Sequence, residues 1–82
     1  MNEEAVLFIL SELKRNNGTS NDRDLFESVN KALKYVGQDI SPKEFNKLLL
    51  VLETRGFIRV EGSRKNMRIV RLVKREANTG GS

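Results

Sequence analysis

The spacing of apolar residues changes at Gly56, from a helical period before it to an alternating pattern after it. Upstream, Ser41 can cap a helix, Pro42 suits the first helical position, and Glu44 completes a capping box three residues after the cap. A helix is therefore predicted to follow Ser41 and to stop at Gly56. Its predicted core stripe has helical spacing and comprises Phe45, Leu48, Leu49 and Leu52.

A β-hairpin is predicted directly downstream of this helix. Ile58 and Val60 mark one face of its first strand, and Arg59 and Glu61 mark the other. The segment EGSRKN (residues 61–66) supplies a turn, and MRIVRLV (residues 67–73) returns as the second strand. Because an isolated hairpin is marginal in water, its apolar face is expected to pack on helices.

Two further helices are predicted upstream. Residues 3–15 have acidic residues in the first turn and basic residues in the last, as the helix dipole favours, and their stripe is Val6, Ile9, Leu10 and Leu13. The segment NNGTSND (residues 16–22) is predicted to end this helix, and Asn21 or Asp22 to cap the next one. The second helix is predicted for about residues 23–36, closed by Gly37, with the stripe Leu25, Val29, Ala32, Leu33 and Val36.

The length and composition predict one small domain. The chain has 82 residues, of which 1–75 are assigned to the domain and 76–82 to a flexible tail. No apolar run approaches the roughly 18 residues that a membrane span needs, and the acidic start is unlike a basic signal peptide. The expected location is therefore intracellular: the nucleus in a eukaryote, and otherwise the cytoplasm or nucleoid.

The chemistry available to the chain argues against catalysis. It contains no cysteine and no histidine, which excludes disulfides, thiolate and imidazole metal ligands, and the usual pairs of nucleophile and base. It also lacks an EF-hand loop and a phosphate-cradling glycine loop. We therefore expect a protein that is not an enzyme and that needs neither cofactor nor metal.

The positive charge is concentrated in the C-terminal third of the chain. Residues 1–54 hold seven Lys or Arg against nine Asp or Glu, a net charge of −2, whereas residues 55–82 hold eight against two, a net charge of +6. Clustered cations release counterions from phosphate, so this pattern favours a nucleic-acid-binding surface. A basic hairpin that is merely solvated is the alternative.

This order of elements is that of a winged helix-turn-helix, an α+β fold with three helices and a C-terminal two-stranded hairpin wing. The segment LETRGFIRV (residues 52–60) resembles the end of a recognition helix running into its wing. A closer resemblance, to the C-terminal winged-helix domain of origin-recognition and cell-division-cycle-type replication initiators, rests on Leu25, Phe26, Tyr35, Gly37, Ser41-Pro42, LLLVLETRGFI (residues 48–58) and RIVRLV (residues 68–73).

In that family the domain binds duplex DNA at origins and touches the replicative helicase. The resemblance therefore implies double-stranded DNA and a replication protein as partners. The ATPase module that normally precedes the domain is missing from this sequence. The chain is accordingly expected to be an excised domain or a stand-alone relative with another role, such as a small regulator or a chromatin protein.

Helical geometry identifies the residues that would meet DNA. A core stripe centred on Phe45, Leu48 and Leu52 leaves the opposite face to Lys43, Asn46, Lys47, Leu50 and Thr54. Asn46 could read a base edge, the two lysines could reach guanine or phosphate, and Thr54 could bind a backbone oxygen. An ordinary polar helix surface is the alternative.

The hairpin supplies a second set of candidate DNA contacts. Arg64 and Lys65 sit beside a Gly62-Ser63 tip and could follow a phosphate strand or enter a minor groove. Arg59, Arg68 and Arg71 are predicted to extend the same surface. The alternative is that these cations protect an exposed strand edge from aggregation.

One apolar feature supports a different function. In VLFIL (residues 6–10), Leu7 and Phe8 lie off the core stripe and would be exposed in a monomer. The first helix could then pair with its copy in a homodimer or dock on another protein, with Phe8 as anchor, and Leu50 could extend such an interface. Alternatively, the returning strand or the tail covers Phe8 within one chain.

Overall fold

The computed structural model of the protein describes residues 2–62 and 67–74. These residues form three α-helices and one three-stranded antiparallel sheet, so the predicted α+β class is confirmed. The elements in chain order are α1 (Glu3–Arg15), β1 (Thr19–Asn21), α2 (Asp22–Lys34), α3 (Pro42–Thr54), β2 (Ile58–Gly62) and β3 (Arg68–Leu72).

Side-chain caps set the start of each helix. Asn2 Oδ1 accepts a hydrogen bond from the Ala5 N–H at 3.0 Å. Asn21 Oδ1 accepts from the Asp24 N–H at 2.8 Å, and Ser41 Oγ accepts from the Glu44 N–H at 3.1 Å. Each bond satisfies a backbone donor that the first turn of a helix leaves without a partner. The cap predicted at Ser41 is therefore confirmed, and of the two candidates for the cap of α2, Asn21 is the cap and Asp22 is the first helical residue.

The second helix ends two residues earlier than predicted. Gly37 has a φ of 74°, in the left-handed region, and this turns the chain so that the Gln38 N–H donates to the Leu33 carbonyl oxygen at 3.0 Å. As a consequence, Val36 falls outside the helix and is exposed rather than part of the core stripe.

The sheet has one strand more than the predicted hairpin. Residues Thr19–Asn21, in the predicted connection between the first two helices, form β1 and pair antiparallel with β3. The strand order is β1-β3-β2, with β3 in the middle. The prediction of a two-stranded ribbon was therefore wrong. The sequence did not indicate β1, because its three residues are all polar and show no alternation of apolar and polar side chains.

The core lies between the three helices and one face of the sheet. The predicted stripe of α3 is buried in full, and the Phe26 and Phe45 rings meet edge to face with centroids 5.3 Å apart. In α1, Ala5 is buried in place of the predicted Val6 and Leu10, which are half-buried. The buried set is Ala5, Ile9, Leu13, Leu25, Val29, Leu33, Ile40, Phe45, Leu48, Leu49, Leu52, Ile58 and Val70.

The apolar run in α1 is explained mainly by packing within the chain. Phe8 is half-buried against the core, so the expectation that it would be exposed in a monomer was wrong. The physical reason is that α1 packs against both α2 and β3, which requires a wider apolar face than a single stripe. Leu7 points the other way and is 62% exposed, as predicted.

Candidate nucleic-acid interface

The outer face of α3 carries the residues that the sequence assigned to it. Lys43, Asn46, Lys47, Leu50 and Thr54 are all exposed, because the buried residues of the same helix anchor its opposite side. All five follow helical spacing, from Lys43 to Thr54, and so share one side of the helix. This outer face is polar except for Leu50, which is 63% exposed.

Arg68 of β3 reaches this helix. Its Nη2 donates a hydrogen bond to Asn46 Oδ1 at 2.6 Å. Its Nε donates to Asp22 Oδ2 at 2.9 Å, and its backbone N–H donates to Asp22 Oδ1 at 3.4 Å. We call these three residues the Asp22–Arg68–Asn46 cluster. It joins the first turn of α2, the start of β3 and the outer face of α3.

The third strand explains how the cluster is assembled. Asn21 pairs with Ile69 across β1 and β3, so the first residue of α2, Asp22, is placed beside Arg68. Arg68 has the same side-chain direction as the buried Val70, since alternate residues of a strand share a face, and it therefore points toward the helices. Asp22 was not predicted as a site residue, because its partner is 46 residues away in the sequence.

A shallow cavity of about 230 Å³ opens beside the cluster. It is lined by the first turns of α2 and α3 together with Arg68, and the two helix N-termini carry the positive ends of the helix dipoles. Arg23 lines the same cavity and was not among the predicted site residues. The available signal was its position, because it is a cation in the first turn of a helix, where acidic residues are usual.

Arg59 and Arg71 lie elsewhere. Arg71 is three residues from Arg68 on β3, so it lies on the opposite sheet face, and Arg59 shares that face because it pairs with Arg71 across β2 and β3. Arg71 Nη2 donates to Glu61 Oε1 at 3.2 Å on this side of the sheet, away from the helices. The prediction that Arg59, Arg68 and Arg71 extend a single surface was therefore wrong.

Arg64 and Lys65 lie outside the described residues, as does the predicted tail. Thr54 is the last residue of α3 and is exposed there.

Glu53 is the acidic residue near the C-terminal end of α3, and it has a structural partner. Its Oε2 accepts a hydrogen bond from the Val60 N–H at 2.9 Å. This bond ties the last turn of α3 to β2 and fixes the angle at which the hairpin leaves the helix. Sequence patterns did not identify it, because a charged residue in the last turn of a helix is ordinarily read as solvated.

Neither a metal centre nor a membrane span is found within residues 2–62 and 67–74. No group of three or more acidic side chains there could hold a metal ion. Likewise, none of the helices that the structure describes is both long and apolar enough to cross a bilayer.

Comparisons with known proteins add no relative. No protein-family model matches the chain. Searches of curated proteins and of solved structures find no match either. Functional inference therefore starts from the geometry of the chain itself.

Proposed function

We propose that the chain is a winged helix-turn-helix domain that binds double-stranded DNA, in replication initiation or as a small regulator. In this proposal α3 enters the major groove and the β2–β3 hairpin follows the adjacent phosphate backbone. The order of elements supports this assignment, because three helices are followed by a hairpin, as in a winged helix-turn-helix. Strand β1, between the first two helices, pairs with the returning strand of that hairpin.

The observation that carries the proposal is the bond between Arg68 and Asn46. It brings a cation of the hairpin onto the side of α3 that also presents Lys43 and Lys47. A helix and a ribbon that converge in this way offer hydrogen-bond donors and positive charge to one ligand. Phosphate oxygens attract the positive charge, and the acceptors on base edges can take the hydrogen-bond donors.

The dimensions of α3 suit a major groove. Its 13 residues span about 20 Å, and the groove is about 12 Å wide, enough to admit a helix. Leu50 lies in the middle of the outer face, where it would contact a thymine methyl group. Thr54 at the end of the helix would donate to a phosphate oxygen.

The test is a titration of the protein with duplex DNA between about 50 mM and about 200 mM salt. Neutralising both lysines with Lys43→Ala and Lys47→Ala should lower affinity and reduce the slope of log affinity against log salt by about two units. Lys31→Ala with Lys34→Ala is the matched control, because both lysines are exposed near the opposite end of α2 from the cluster. Equal slopes in the two double variants would overturn the proposal.

A second candidate function is a protein-assembly module, which Leu7 and Leu50 favour by their exposure of 62% and 63%. Phe8 is no longer its anchor, since it packs against the core of its own chain. In this case the outer face of α3 would dock a protein through Leu50. Sedimentation at high concentration would then show a homodimer that Leu7→Glu or Leu50→Glu dissociates, and a wild-type protein that remains monomeric would eliminate the homodimer.

A further inference from the structure

We infer that the Asp22–Arg68–Asn46 cluster reads guanine, rather than adenine, at one position of the duplex. This inference rests on the proposed function and adds to it a base preference. It follows from the hydrogen-bonding capacity that the cluster retains once its internal bonds are made.

The guanidinium of Arg68 retains donors only. It has five N–H groups and no acceptor. Within the described residues, Nε–H is used by Asp22 and one Nη2–H by Asn46, which leaves three N–H groups for a ligand. Arg68 remains 38% exposed, so these donors are accessible from the outer face of α3.

The bond from Arg68 also fixes the orientation of the Asn46 amide. Because a guanidinium cannot accept a hydrogen bond, Oδ1 must face it and Nδ2 must face the other way. The bond is short, at 2.6 Å, and charge-assisted. It draws electron density from Oδ1, which weakens that oxygen as an acceptor and strengthens Nδ2–H as a donor.

This orientation disfavours adenine. An asparagine that reads adenine must accept from N6 through Oδ1 while it donates to N7 through Nδ2. In the cluster, Oδ1 of Asn46 is already engaged with a cation, so the accepting half of that pair is impaired. Guanine presents two acceptors, O6 and N7, and both can take donors from Asn46 and Arg68.

Asp22 acts as a positioning residue in this arrangement. Its two oxygens hold the side chain and the backbone of Arg68, and it is 20% exposed, compared with 38% for Arg68. Its carboxylate fixes the plane of the guanidinium without itself facing the ligand. Removing the Asp22 carboxylate should therefore reduce the preference for guanine and leave the number of phosphate contacts nearly unchanged.

Phosphate oxygens are the other source of paired acceptors, and the experiment separates them from guanine. Duplexes are first selected from a randomised pool by the wild-type protein. The best duplex is then made with 7-deazaguanine, which lacks the N7 acceptor, at each enriched guanine in turn. A second series carries neutral methylphosphonate linkages in place of the neighbouring phosphates.

We expect guanine to be enriched, and one 7-deazaguanine to weaken wild-type binding by about fivefold or more. The same 7-deazaguanine should change the duplex affinity of Asn46→Ala or Arg68→Lys only slightly. Arg68→Lys keeps the positive charge but loses the planar fork of the guanidinium. Asp22→Asn should lower the guanine preference while leaving the salt slope unchanged. Circular dichroism confirms that each variant is folded.

Two matched controls are available outside the cluster. Arg71→Lys alters an arginine of the same strand that points to the opposite sheet face, and Asp39→Asn removes an exposed carboxylate. Both should retain the wild-type guanine preference. A loss of preference in either control would show that it does not originate in the cluster.

Three outcomes would overturn the inference while leaving duplex binding intact. Selection could enrich adenine at the position that Asn46→Ala affects. The wild-type protein could bind every 7-deazaguanine duplex as tightly as the guanine duplex. Alternatively, Arg68→Lys could keep the wild-type response to 7-deazaguanine and lose only the response to methylphosphonate linkages. Failure to bind any duplex would instead overturn the proposed function.

Discussion

The hydrogen bond between Glu53 and Val60 gives a prediction that can be followed at a single amide. The Val73 N–H donates to the Phe57 carbonyl oxygen, so residues at odd positions of β2 bond to β3 and those at even positions face the open edge. The Val60 N–H therefore points away from β3, and its partner is the Glu53 carboxylate at 2.9 Å. In Glu53→Ala this donor loses its acceptor.

The expected loss can be estimated from the bond and its surroundings. A hydrogen bond to a charged group contributes about 1.5–3 kcal/mol, and water can replace part of it here because Val60 is half-buried at an edge. We therefore expect the free energy of unfolding to fall by about 1–1.5 kcal/mol in Glu53→Ala. In a domain of this size, each kcal/mol corresponds to about 4–8 °C in Tm.

Amide hydrogen exchange measured by NMR is the direct assay. The Val60 amide should exchange about tenfold faster in Glu53→Ala, since about 1.4 kcal/mol is a factor of ten. The Arg59 and Glu61 amides keep their bonds to β3 in this variant and serve as internal references, so the Val60 amide should be accelerated more than either of them. Glu53→Gln retains an acceptor oxygen and should have an intermediate effect.

Glu27→Ala is the control, because Glu27 is an exposed glutamate on α2. It should change the free energy of unfolding by less than about 0.5 kcal/mol. The reasoning is refuted if the Val60 amide exchanges at the same rate in Glu53→Ala and wild type. It is also refuted if Glu27→Ala accelerates that amide equally.

Three further predictions concern stability. Ser41→Ala removes the cap of α3 and should lower the free energy of unfolding by about 1 kcal/mol in urea denaturation, whereas Ser11→Ala, at an exposed position within α1, should shift it by less than about 0.5 kcal/mol. Arg59→Thr removes a like-charge pair across two strands and should raise stability by about 0.2–1 kcal/mol at low salt, with a smaller gain at high salt; a loss would contradict this reading. Phe8→Glu should lower the free energy of unfolding by about 2 kcal/mol or more, as measured by thermal denaturation, while Leu7→Glu should leave it nearly unchanged. Equal losses in the two variants would show that Phe8 does not pack against the core.

The helices could be predicted because their signals are local. Ser41, Pro42 and Gly56 bound α3 within a short segment, and the buried positions of that helix repeat at its own period. The same holds for the start of α2 at its Asn21 cap. Such signals depend on neighbours within a turn or two, which a sequence displays directly.

The features that the sequence did not predict are those that depend on partners distant in the chain. Strand β1 is polar and short, and pairing with β3 is what makes it a strand. The Asp22–Arg68–Asn46 cluster joins three elements, and the outer face of α3 gave no indication that Asn46 would be held by an arginine from β3. Likewise, Phe8 was misassigned because its burial depends on two packing partners of α1 rather than on the period of that helix.

Mapping of amide chemical shifts during titration with a duplex tests the central claim most directly. The account predicts that the largest changes occur at Lys43, Asn46, Lys47 and Arg68, which share one surface. Leu7 on the far side of α1 should show little change. Largest changes around Leu7, with the outer face of α3 unaffected, would contradict the account.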